Sequence, residues 1–93
     1  LYLLELDVEN NGIEVLPYST LELAHKAAAS VLESWMEPNS GFYVIDDIIN
    51  AIKSLLAKGE VEAAIALWNE IQNDSGDPEG EIAIVEATLD KMP

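Results

Sequence analysis

The chain has 93 residues, 49% of them hydrophobic, and no cysteine, which leaves room for one domain with one core. That apolar share excludes an intrinsically disordered chain, and the missing cysteine excludes disulfides and thiolate metal sites. Four lysines and no arginine face eighteen carboxylates for a net charge of −14, so phosphate backbones and anionic lipid repel the chain and direct nucleic-acid or membrane binding is not expected.

The first eighteen residues read as a β-hairpin. Tyr2, Leu4, Leu6 and Val8 alternate with Glu5, Asp7 and Glu9, the period of a half-buried strand. Asn10-Asn11-Gly12 follows, then Ile13-Glu14-Val15-Leu16-Pro17-Tyr18. Asn11-Gly12 suits a two-residue type I′ turn. That loop pairs Val8 with Val15 and Leu6 with Pro17, keeping one face apolar, whereas a longer loop pairing Val8 with Glu14 mixes the faces. Pro17 must lie at an edge or strand end, since it cannot donate to a ladder.

Ser19-Thr20-Leu21-Glu22 fits a capping box with Ser19 as N-cap. Leu21, Ala24, Ala28, Val31, Leu32 and Trp35 then mark one face of a helix that ends at Pro38-Asn39-Ser40-Gly41. Phe42 to Ile45 is an aromatic and β-branched run that predicts a third strand, the alternative being an early turn of the next helix. Asp46 or Asp47 caps that helix, and Ile48, Ile49, Ile52, Leu55 and Leu56 form its stripe. Lys58-Gly59 is a stop signal. Val61, Ala64, Ile65, Trp68 and Ile71 mark a third helix, making a helical hairpin. Asp77-Pro78-Glu79 starts a fourth helix through Ile82, Val85, Leu89 and Met92, with a strand over Ile82 to Val85 as the alternative. The expected fold is α+β over residues 1–93: a hairpin over 1–18, then a helical part over 19–93. A small antiparallel sheet packs on three to four helices in the order ββαβααα.

Catalytic and metal motifs are scarce. His25 is the single histidine and lies away from the apolar stripe of its helix; no nucleophile elbow accompanies it, so it reads as a surface residue. No glycine-rich phosphate loop occurs, and there is no arginine to clamp a phosphoryl group. The adjacent acids Asp46 and Asp47 are explained by a helix N-terminus. Residues 75–86 resemble an EF-hand loop, with Asp77, Glu79, Glu81 and Glu86 as the acids and Gly80 at the turn. Ser75 stands where the first aspartate belongs and Pro78 sits mid-loop, so a degenerate calcium site is only an alternative and no cofactor is expected. The stretch from Asp46 to Pro78 resembles a single tetratricopeptide unit, with no second copy to stack on. A helix-turn-helix reader would present Glu60, Glu62 and Glu70 to phosphate, which opposes it.

In the expected hairpin register Glu9 faces Glu14, and Asp7 and Glu5 extend the row. Like charges set opposite one another cost about 0.2–1 kcal/mol each, more acidity than edge protection alone requires. Glu5, Asp7, Glu9 and Glu14 are therefore the expected partner-binding residues of a non-catalytic protein that docks on the basic surface of another protein. The sharpest version is an inhibitor from a phage or mobile element that imitates a nucleic acid. The alternative is a structural or adaptor domain binding through an apolar helical face, and a homodimer is compatible with either. Apolar runs reach at most six residues, against the ~20 that span a bilayer. The opening Leu1-Tyr2-Leu3-Leu4-Glu5 lacks the basic region of a signal peptide, so a cytoplasmic location is expected.

Overall fold

The computed structural model describes residues 1–8, 12–37, 44–74 and 80–87. They form β1 (Tyr2–Val8), β2 (Gly12–Tyr18), α1 (Leu21–Trp35), α2 (Asp46–Ala57), α3 (Val61–Asp74) and β3 (Gly80–Glu86). The class is α+β as expected, but the order is ββαααβ. The strand order is β2-β1-β3 with both pairings antiparallel, so the first strand is central and the last lies beside it.

Two expected elements differ. Val44 and Ile45 are not in a strand and lead directly into α2, with Ile45 as its N-cap; Phe42 and Tyr43 lie outside the described residues. Over the stretch of the expected fourth helix, Asp77 to Met92, the described residues form β3, from Gly80 to Glu86. Helical spacing of Ile82, Val85 and Leu89 competed there with the β-branched run Ile82 to Val85. The free central edge of β1 decides the matter, because an unpaired row of backbone groups beside a core must find partners.

The hairpin register also differs. Leu4 pairs with Leu16, Leu6 with Glu14 and Val8 with Gly12, which leaves residues 9–11 between the strands and not a two-residue loop. Gly12 keeps the positive φ expected of the turn, at 77°, but as the first residue of β2. Since β2 has apolar residues at both parities, its pattern alone is ambiguous. Leu16 and Tyr18 pack against the core, and the three-residue difference from the expected pairing, an odd number, sends Ile13 and Val15 to the opposite face.

Helix α1 packs over β1 and β2, α3 over β3, and α2 over α3. The shared core includes Leu4, Leu32, Ile52, Trp68 and Ile82, all essentially inaccessible to solvent. Trp35 packs on Trp68 with ring centroids 5.7 Å apart, a tilted aromatic pair. Thr20, not Ser19, is the N-cap of α1; its hydroxyl accepts from the Leu23 N–H at 3.2 Å. Asp46 and Asp47 occupy the first turn of α2 without capping it, where their charge still favours the helix dipole. The α2 stop holds as expected. Gly59 at φ 79° lets its own N–H reach Leu56 O at 3.0 Å and the Glu60 N–H reach Leu55 O at 2.9 Å, the paired bonds of a Schellman motif.

Candidate functional site

All three helices lie on one face of the sheet. Even-numbered residues of the strands (Leu4, Leu6, Leu16, Ile82, Ile84) point into the core. Odd-numbered ones form the other face, and no described element covers it. There Leu3 stands between Pro17 and Val85, Glu5 between Val15 and Ala83, and Asp7 between Ile13 and Glu81. Ile13 is 66% exposed, Val15 47% and Val85 42%. A shallow depression of about 220 Å³ is lined on this side by Glu5, Asp7, Ile13, Glu81 and Ala83 and, at the β3 edge, by Asn69 and Ile82. The open face is thus an apolar ground bearing three carboxylates.

Of the expected binding row, Glu5 and Asp7 do share this surface. Glu14 does not: it pairs with Leu6 and projects on the opposite side of β2. Glu9 lies outside the described residues. The repulsion expected within the hairpin is instead between Asp7 and Glu81, directly opposed across β1 and β3. Glu81 was legible only as an acid of the calcium-like loop, and its place here depends on reading β3 as a strand. The β-branched run Ile82 to Val85 was the signal that could have found it, together with Ile13 and Val15 once the register is right.

The two sheet edges are treated differently. The Ala87 N–H donates to Leu1 O at 2.8 Å, so odd residues of β1 bond toward β3 and even residues toward β2, as antiparallel ladders alternate. The even residues of β3 therefore turn their backbone groups outward, and at Gly80 and Ile82 α3 meets them with side chains. Trp68 Nε1 donates to Gly80 O at 3.0 Å, and the Gly80 N–H donates to Gln72 Oε1 at 3.4 Å. Asn69 binds Ile82 twice, Nδ2 donating to its O at 2.7 Å and Oδ1 accepting from its N–H at 3.0 Å. On β2 the same alternation turns Ile13, Val15 and Pro17 outward, and among the described residues no strand pairs with that side. Pro17 sits at the edge as expected, where it has no N–H to leave unpaired.

The remaining candidates separate. His25 is not a plain surface residue: its side chain is 25% exposed, and Nε2 lies 3.4 Å from Glu62 Oε1 on α3 without making a hydrogen bond. It forms an ion pair only when protonated. Of the calcium-like loop, Asp77 and Glu79 lie outside the described residues, while Glu81 and Glu86 belong to an extended strand and project on opposite faces. An EF-hand needs its last acid at the start of a helix, so β3 overturns that reading for its second half. Among the described residues no group of three or more His, Asp or Glu side chains is placed to hold a metal ion, and no helix is long and apolar enough to cross a membrane. The helical hairpin of α2 and α3 is present as expected. Comparison with protein-family models, with curated proteins and with solved structures returns no match for this chain.

Proposed function

We propose that the chain is a small, acidic, non-catalytic binding protein that docks on a basic surface of a partner protein. The observation carrying this is the open sheet face, where Glu5, Asp7 and Glu81 stand among uncovered Ile13, Val15 and Val85. Carboxylates over apolar ground steer a cationic partner and give it area to bury. The net charge of −14 adds a long-range field of the same sign. The finer form of this reading is an inhibitor from a phage or mobile element that imitates nucleic acid, whose partner is then a nucleic-acid-binding protein. A second reading, an adaptor using a helical face, is favoured by a groove of about 440 Å³ where Met36 and Leu56 lie between Glu33, Glu37 and Lys53.

The test is affinity capture from lysate at about 50 and about 500 mM salt, a range over which exposed charges become screened. Bound proteins are read by mass spectrometry and compared with capture by the Glu5→Gln, Asp7→Asn, Glu81→Gln triple variant. Partners that are basic, salt-sensitive and lost with the variant support the proposal. Capture that is flat with salt and indifferent to the variant favours the adaptor reading.

A further inference from the structure

Resting on that reading, we infer that the partner is held by strand addition: an extended segment bearing Lys or Arg at alternate positions pairs with the outer edge of β2. The two edges of the sheet differ in a way that selects this one. At β3 the outward backbone groups of Gly80 and Ile82 are already bound by Trp68, Asn69 and Gln72. At β2 the outward N–H groups of Ile13 and Val15 and the carbonyls of Ile13, Val15 and Pro17 face no described strand. Natural sheets blunt such an edge with charge, proline or a covering element. Here Pro17 blunts one end, while Ile13 and Val15 are exposed and, among the described residues, meet no strand on that side.

Charge complementarity sets the chemistry of the occupant. An added strand lies about 4.8 Å beyond β2, so its residues on the open face stand beside Ile13 and Val15, one strand short of Asp7 and Glu5. Lys and Arg suit both demands, because their apolar stems cover the two aliphatic side chains while their charged heads reach across toward the carboxylates. On the other face the added strand meets Glu14, again an acid. A second copy of this chain brings a charge of −14 to the same place and is disfavoured by repulsion. Main-chain bonds supply affinity in this mode, and alternate side chains supply selection.

The probe is a synthetic peptide alternating lysine and valine over about nine residues, slightly longer than the edge itself. Its control is the same peptide with alternate backbone amides N-methylated, which keeps every charge and removes the donors along one side. Binding to the unmodified protein is followed by calorimetry and by amide hydrogen exchange. The expected result is slowed exchange at Ile13 and Val15 and at least about tenfold weaker binding of the methylated peptide, the size of losing one or two bonds of a ladder. Val15→Pro removes an outward N–H at the same parity as Pro17 and should weaken the peptide similarly without moving the melting temperature. Equal affinity for both peptides, with binding lost only in the Glu5→Gln, Asp7→Asn variant, overturns strand addition and leaves acidic docking standing. No binding of either peptide, at low salt, removes both readings. Protection of Ile13 and Val15 in the free protein, with a dimer in sedimentation, also overturns the inference by assigning the edge to a second copy.

Discussion

Replacing Asn69 with alanine isolates the contribution of a helix side chain that acts as a piece of strand. Its amide makes two bonds to Ile82, at 2.7 and 3.0 Å, both part-buried. Removing them leaves the N–H and C=O of one residue without protein partners beside the core. Water reaches part of this edge, so each lost bond is worth about 1 kcal/mol, the lower end of the range for a buried group. Against that loss of about 2 kcal/mol, alanine is the better helix former by about 0.5 kcal/mol. The net destabilisation is therefore about 1.5 kcal/mol, equivalent to a fall in melting temperature of about 6–12 °C for a domain of this size. Urea unfolding followed by circular dichroism measures it, with amide exchange at Ile82 and Ile84 reporting whether β3 opens locally first. Asn69→Asp keeps the acceptor and loses the donor, so at neutral pH it should be at least as damaging, with a carboxylate oxygen set against Ile82 O. A change below about 0.5 kcal/mol in Asn69→Ala, within the scatter of neutral surface substitutions, would refute the idea that α3 holds this edge.

Two further substitutions test other parts of the structure. Gly59→Ala meets no atom within 4 Å of the new Cβ, so its whole cost is the left-handed backbone at φ 79°; a loss of about 1 kcal/mol in urea unfolding is expected, and a neutral result would mean the turn is not held in that conformation. Glu81→Lys turns the like-charged cross-strand pair with Asp7 into an attractive one. It should stabilise the domain by about 0.2–1 kcal/mol at low salt, fading at high salt; no gain would count against the register of β1 and β3.

How far the sequence could be read depended on whether local pattern or distant partner decided each element. β1 and the three helices carry strong periods, and their buried faces (Leu4 and Leu6; Ala24, Ala28 and Leu32; Ala64 and Trp68) are the stripes seen in the chain. The Gly59 stop is wholly local and was legible for that reason. The strand at β3 was not, because Ile82, Val85 and Leu89 also keep helical spacing. What distinguishes the two is a pairing with β1, nearly the whole described chain away. The register of β2 failed for a related cause: Ile13 and Val15 are as apolar as Leu16 and Tyr18, so only α1 lying over the latter pair selects the parity. The candidate site inherited both errors. Glu5 and Asp7 are visible in the alternation of β1, the expected register sets Glu14 on the wrong face, and Glu81 joins them only once β3 is a strand.

The position of β1 between its nearest and its most distant strand has a consequence for the order of folding. Turning β1 onto β2 closes a few residues and belongs to the microsecond range of hairpins. Joining β1 to β3 brings together Val8 and Gly80, about 70 residues apart, at an entropic cost roughly 3 kcal/mol greater by the logarithmic dependence of loop closure. The helices must shorten that span before the last strand can dock, which makes the docking of β3 the late and slow event. Until then β1 offers an open edge of its own. During synthesis the chain therefore passes through a state with two receptive strand edges, and only the arrival of Gly80 to Glu86 removes one of them.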